Sequence, residues 1–328
     1  MSNFTSPMKT LLRRLALLVG ITLLAIIGFL LFVQVRGIPR YPPPLLKVAI
    51  PLTPAWVALG EKLTLSICAD CHLNRKTNKY SGHRLADLTP DFGRIYTSNI
   101  TQDQQHGIGR WTTGQLVALL RTGIGPDGRL RLIMPNYARM SDEDVASIVA
   151  FLRSASPQVQ PDPTPTPPQK PSLLLKLLGN TIMRPARLPA APVLAPPPTE
   201  ARAFGRYLVI GRYHCFECHS KDFKSNNPYE PEKSKGYLGG GTPLLNNESQ
   251  TVVSRNITGD VATGIGGWSE AQFGRAVRFG LSPNGPLHYP MNKYSLLTDE
   301  EVHALFAYLQ AVPKIKNATP EDGGAVVQ

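Results

Sequence analysis

The longest apolar feature of the chain is the run Leu15 to Val33, LALLVGITLLAIIGFLLFV, which contains no charged residue. A segment apolar on every side is not the amphipathic helix of a soluble surface. At helical rise it spans about 29 Å, enough for the hydrocarbon core of a bilayer. Lys9, Arg13 and Arg14 precede it, which directs the N-terminus to the cytoplasm and the remainder outward. The alternative is a cleaved signal peptide. That would have a shorter apolar region and a small-residue cleavage site, for which Val35-Arg36-Gly37 is a poor substitute. The length favours an uncleaved anchor, and under either interpretation the body of the chain lies outside the cytoplasm.

Beyond the anchor the pattern becomes helical, and it occurs twice. Val145, Ile148, Val149 and Leu152 fall at i, i+3, i+4 and i+7, as do Val302, Leu305, Phe306 and Leu309, so each set forms the buried face of a helix. Both helices begin with a Ser/Thr-x-x-acid cap, Ser141-Asp-Glu-Asp and Thr298-Asp-Glu-Glu. A preceding helix starts near Thr112 or Ser269 and runs to Arg121 or Arg278, with Ser269-x-x-Gln272 as a capping box. Leading helices are predicted over Pro54–Ile67 and Thr199–Gly211. Gly60 and Gly205 lie within them, where a glycine is a cost unless another helix crosses closely.

The repetition is literal. Asn99-Ile-Thr returns as Asn256-Ile-Thr, Gly107-Ile-Gly-Arg-Trp111 as Gly264-Ile-Gly-Gly-Trp268, and Met134, Tyr137 and Leu152 as Met291, Tyr294 and Leu309, all at an offset of 157 residues. A match this long indicates duplication. The expected architecture is all-α, two tandem domains behind one N-terminal transmembrane helix. Residues 1–36 form the cytoplasmic N-terminus and anchor, 37–53 a Pro-rich stalk, 54–154 the first domain, 155–198 a Pro-rich linker, 199–313 the second domain and 314–328 a tail. The linker reads as extended chain. Its one apolar piece, Leu173 to Leu178, is too short to span a membrane and is expected to pack across the two domains or against a partner subunit.

A formal charge of +12 suits acidic protein partners or anionic lipid. The cations are scattered and no nucleic-acid motif occurs, so nucleic acid is not expected. The chemistry is concentrated in Cys68-Ala-Asp-Cys71-His72 and Cys215-Phe-Glu-Cys218-His219, which use all four cysteines. C-x-x-C-H is the pattern of c-type haem attachment. The thiols form thioethers with the porphyrin vinyl groups, and the following histidine lies beneath the iron. Structural zinc or a redox dithiol are the alternatives, and neither explains a histidine after each second cysteine. Two covalently attached haem c groups are therefore expected. Covalent attachment in bacteria takes place on the outer side of the inner membrane, which places the haem domains in the periplasm.

The second axial ligand decides between electron transfer and catalysis. Met134 and Met291 correspond under the duplication, and each adjoins a proline, Pro135 and Pro290, that stiffens its loop. They are the candidate thioether ligands, so the metal ligands are His72, Met134, His219 and Met291. Met140 is expected to fill core space. Among His83, His106, His214, His288 and His303, each expected at the surface or in a loop, His288 is the main rival because it lies three residues before Met291. Two saturated irons leave no position for a small-molecule substrate, and no catalytic residues are assigned.

The ordered set C-x-x-C-H, Asn-Ile-Thr, Gly-Ile-Gly-x-Trp, Met beside Pro and the acid-capped helix resembles the class I cytochrome c domains of the cytochrome subunits of membrane-bound bacterial alcohol, gluconate and sorbitol dehydrogenases. The resemblance covers about residues 54–154 and 199–313. It implies compact helical haem domains, proximal His72 and His219, distal Met134 and Met291, and electron transfer between a dehydrogenase, quinone pool or oxidase. For Asn99, Trp111, Asn256 and Trp268 it suggests a place near the haem or its propionates; a turn with a packed aromatic is the alternative. Those subunits usually carry three haem domains, and this chain shows two.

The expected function is that of a membrane-anchored dihaem electron carrier with a protein donor and acceptor, alone or within a larger complex. The alternative is a haem enzyme such as a dihaem peroxidase or a sulfur-compound oxidase. Cys215→Ala is expected to lose stable covalent attachment of one haem. A variant that still carries two covalent haems by mass spectrometry would contradict the motif assignment.

Overall fold

The apolar run folds as helix α1, Ser6–Arg36, most of whose hydrophobic side chains are exposed. By length and composition it is able to cross a membrane. The computed structural model describes residues 6–85, 88–246 and 248–320. Residues 1–5 of the expected cytoplasmic segment and 321–328 of the expected tail lie outside the described residues.

Capping chemistry sets the helix starts. Helix α2, Pro54–Ile67, has proline in its first turn and Thr53 as cap, its hydroxyl accepting from the Trp56 N–H at 3.3 Å. The turn α3, Ala69–His72, follows directly. Helix α4, Thr113–Thr122, opens on a Thr112/Gln115 capping box and ends on Gly123 in the left-handed region at φ 77°. Helix α5, Asp142–Leu152, is capped by Ser141, and α6, Leu173–Thr181, interrupts the linker. In the second half α7, Ala201–Tyr207, continues through a π-helical turn at Leu208–Arg212 before the short α8, Cys215–Cys218. Helices α9, Glu270–Phe279, and α10, Asp299–Ala311, both begin with capping boxes, Ser269/Gln272 and Thr298/Glu301. Among the described residues strand is confined to three short antiparallel pairs, Gly93–Arg94 with Lys170–Pro171, Pro243–Leu245 with Thr251–Val253, and Leu281–Ser282 with Gly285–Pro286. They fasten loops and contribute little to the core.

Two hydrophobic clusters form, one in each half. The predicted faces are buried: Val145, Ile148, Val149 and Leu152 in the first, and Val302, Leu305 and Leu309 in the second, with Phe306 partly covered. Helix α2 packs on α5, and α7 on α10. The two glycines explain how. A Cβ at Gly60 would lie 1.8 Å from the Ser147 carbonyl oxygen, and one at Gly205 would lie 1.9 Å from that of Ala304. Ser147 and Ala304 are themselves 157 residues apart, so both halves make the same crossing.

The halves meet over buried charge. Arg212 donates to both oxygens of Asp144, at 2.7 and 2.9 Å, and to Glu301 at 2.7 Å. Lys62 reaches the second oxygen of Glu301 at 2.6 Å. The Tyr207 hydroxyl donates to Asp144 and accepts from the Ser141 N–H at 2.9 Å. Two cations face two carboxylates. Burial alone would depress the guanidinium pKa, and the Asp144 carboxylate together with the nearby Tyr213 and Tyr207 more than offsets it, raising Arg212 above its ordinary value. This arrangement also corrects one cap. Asp144 does not reach back to the Ser141 N–H, because its carboxylate is taken by Arg212 and Tyr207.

The linker differs from expectation in its contacts. It is largely extended, yet it lies along the first half: the Asn99 N–H donates to Thr166, and Gln169 bonds Tyr96 through both its amide groups. Among the described elements the main contacts of the Leu173 piece lie outside the second half. As α6 it packs against α1 and the Pro90–Phe92 turn. The stalk is likewise held, with the Tyr41 N–H donating to Gly128 O at 2.7 Å.

Gly60→Ala and Gly205→Ala are each expected to cost about 2 kcal/mol or more, because the added methyl meets backbone. Arg212→Met leaves two buried carboxylates without their shared cation and is expected to cost about 3–5 kcal/mol. Denaturant unfolding of the haem-loaded chain measures both, and an unchanged midpoint would contradict the corresponding packing.

Candidate haem sites

Each Cys-x-x-Cys-His stretch follows the end of its leading helix, so the thiols and the imidazole leave the backbone within a single turn. The two histidines are held identically. His72 Nδ1 lies 2.8 Å from the Ser98 carbonyl, and His219 Nδ1 lies 2.8 Å from the Arg255 carbonyl. A carbonyl only accepts, so Nδ1 carries the proton and the Nε2 lone pair is free to ligate. Burial lowers both histidine pKa values, and the carbonyl contact opposes this only in part. Both rings are thus neutral donors.

The accepting carbonyls belong to the residues just before Asn99 and Asn256. The Asn99 side-chain oxygen accepts from the Thr101 N–H at 2.9 Å and the Thr101 hydroxyl at 2.7 Å, while its amide donates to the carbonyls of Asp162 and Thr164. Asn256 repeats the turn with Thr258 and donates to Thr263 and Ile315. Both amides are engaged with the protein itself. Their work here is to fix the turn whose carbonyl orients the histidine.

In the second half Cys215, Cys218, His219, Asn256, Trp268 and Met291 line one cavity of about 290 Å³, mostly apolar and shared with Tyr294 and His288. In the first half Cys68, Trp111 and Met134 pack against the cluster that holds Ile108, Leu116, Tyr137 and Leu152. Met140 is fully buried in that cluster, the core position expected of it.

Burial pushes the Cys68, Cys215 and Cys218 thiols up to about 12, which opposes the thiolate that zinc binding or dithiol exchange requires. The four cysteines are not paired in disulfides, and among the described residues no group of three or more His, Cys, Asp or Glu could hold a metal ion. An apolar cavity with two neutral thiols, a neutral imidazole and a thioether fits a covalently attached porphyrin.

Sequence reasoning missed two features. Gly82 and Gly240, at φ 78° and 73°, donate their N–H groups to the carbonyls of His72 and His219 at 2.9 and 2.8 Å. A side chain at either would meet backbone within 2.5 Å. Gly82 follows its histidine by ten residues and Gly240 by twenty-one, so the loop insertion conceals the match. The second feature is His214, expected at the surface or in a loop. It does lie in a loop, in the left-handed region at φ 53°, but only 13% of its side chain is exposed. Its ring lines the second cavity and stands 5.2 Å from that of Tyr137 in the first half. Of the other histidines, His83 bonds the Asp70 and Arg84 carbonyls, His303 pairs with Glu270, and His288 is exposed at the cavity rim.

Comparison with known proteins points the same way. The chain is 30% identical to the cytochrome c subunit of a quinone alcohol dehydrogenase from Gluconobacter oxydans (strain 621H), over 82% of this chain and 58% of that protein. It is 31% identical to a fructose dehydrogenase cytochrome subunit from Gluconobacter japonicus, over 78% of this chain and 52% of the relative. It therefore spans just over half the length of these dehydrogenase subunits. A diheme cytochrome c-type protein from Cereibacter sphaeroides is 30% identical over 76% of this chain and 83% of its own length. No family model matches the chain. Motif, site and relatives agree: the chain belongs to the family of c-type cytochromes that includes these dehydrogenase cytochrome subunits and the dihaem cytochrome c.

Proposed function

We propose that this protein is a membrane-anchored dihaem electron carrier, built from two tandem class I cytochrome c domains at residues 54–154 and 199–313. The observation that carries the proposal is the matched pair of sites, each with two thiols, a histidine pinned through Nδ1 to the carbonyl before an Asn-Ile-Thr turn, and a methionine on a later loop. A haem c bound at each site supplies a one-electron iron couple. The residues do the rest. Cys68 and Cys71, and Cys215 and Cys218, would hold the group covalently, and His72 and His219 would offer Nε2 to its iron. Met134 and Met291 would offer sulfur, a soft ligand that raises the potential. Trp111 and Trp268 close the apolar walls. Asn99 and Asn256 act on the iron indirectly, through the carbonyl each one steadies.

The contact of Tyr137 with His214 joins the wall of the first site to that of the second, which favours exchange of electrons within one chain. With α1 in the inner membrane and the remainder in the periplasm, the external donor is an oxidoreductase of the kind the relatives serve, and the acceptor a quinone or oxidase. The basic surface favours acidic faces on these partners.

Met134→Ala and Met291→Ala are each expected to open one iron, lower that haem's potential and leave the other unchanged. Redox titration with optical spectra of each variant measures this. Survival of the methionine–iron charge-transfer band in both variants would overturn the ligand assignment.

A further inference from the structure

Helix α6 lies at the exit of α1. Its inner face is anchored there, with Leu175 only 2% exposed, Lys176 donating to the Gln34 side chain at 3.0 Å and Asn180 donating to the Gly37 carbonyl at 2.9 Å. Gln34 and Gly37 mark the end of α1, so α6 sits at the level where a helix spanning the bilayer emerges. Apolar side chains at both of its ends are uncovered. Leu173 is 41%, Leu174 42% and Ile182 72% exposed, next to an α1 whose last turns expose Leu31, Phe32 and Val35. Asp91 lies in the Pro90–Phe92 turn against the start of α6, but the linker itself carries charge of one sign. Between Asp162 and Glu200 the chain carries Lys170, Lys176, Arg184 and Arg187 and no acidic residue.

We propose that α6 is an interfacial helix seated in the headgroup boundary of the membrane that α1 crosses, with Leu173, Leu174 and Ile182 in the acyl region and Lys170, Arg184 and Arg187 on anionic headgroups. An apolar face flanked by Lys and Arg is the composition that lies in a membrane surface. The proposal rests on the membrane-anchor reading of α1. The linker thereby gains a mechanical role. A second attachment beside α1 stops the haem-bearing body from swinging about a single point, and holds the first site at a fixed height above the bilayer. A protein subunit covering the same face is the competing occupant.

The test uses the full haem-loaded chain, with no other protein, in nanodiscs of phosphatidylethanolamine and phosphatidylglycerol doped with a diazirine-bearing lipid. Photolabelled residues are mapped by peptide mass spectrometry. Label is expected on α1 and on residues 173–182. The combined replacement Leu173→Ser, Leu174→Ser and Ile182→Ser should lose the α6 label and keep that on α1. Exchanging phosphatidylglycerol for phosphatidylcholine should weaken the α6 label alone. Label on α1 with none on residues 173–182 of the unaltered chain would overturn the interfacial helix, as a face reserved for a protein partner requires. Absence of label from α1 would overturn the anchor reading, and the interfacial helix with it. The replaced side chains are exposed, so covalent haem content should match the unaltered chain; equal α6 label in a correctly loaded variant would also count against the proposal.

Discussion

The relative placement of the two sites depends on one buried guanidinium. Asp144 and Glu301 occupy the same position, three residues beyond the cap, in the duplicated helices α5 and α10. Both turn toward Arg212, which the first half cannot duplicate because Leu65 stands at the matching place, three residues before Cys68. A charge this deep is costly unless fully paired. Here it is bidentate to one carboxylate, bonded to a second, and set over the rings of Phe204 and Tyr207. Lys62 balances the remaining charge from the first half. Helix N-termini favour negative charge, so the two carboxylates are well placed before the arginine arrives. The ionic contact gives the interface a single register, and hydrophobic packing around Ile67, which touches both clusters, completes it.

That register brings the sites together. Tyr137, on the loop after Met134, meets His214, one residue before Cys215. The matched Tyr294 instead packs on Tyr213 within its own half, at 4.9 Å. Duplication therefore produced two similar sites and an asymmetric boundary between them. Each histidine is a neutral donor held by a backbone carbonyl. Fixed dipoles, above all the carbonyls of Ser98 and Arg255, supply the orientation in place of charged side chains.

Much of this was readable in the sequence because it follows from local rules. Caps, helix faces and the Cys-x-x-Cys-His motif depend on residues a few positions apart, and Gly60 and Gly205 announced a close crossing by standing where glycine is a cost. The Arg212 cluster was not readable. It joins residues from 62 to 301 that are neighbours only after both halves have folded, and its two acids looked like ordinary helix caps. Asn99 and Asn256 were recognised through resemblance, and the hydrogen bonds of their amides to the surrounding loops could not be read from it. The linker misled for a different reason: proline-rich composition predicts extended backbone and says nothing about what that backbone lies against.

The central claim is that this chain holds two closed, six-coordinate haem sites and moves electrons without binding a substrate at iron. Electron paramagnetic resonance of the fully oxidised protein, with haem counted against protein mass, tests it most directly. The account predicts two covalent haems per chain, both low-spin and unchanged by added cyanide or peroxide. A high-spin signal that either reagent shifts would contradict it, and would make one of the two sites a place of catalysis.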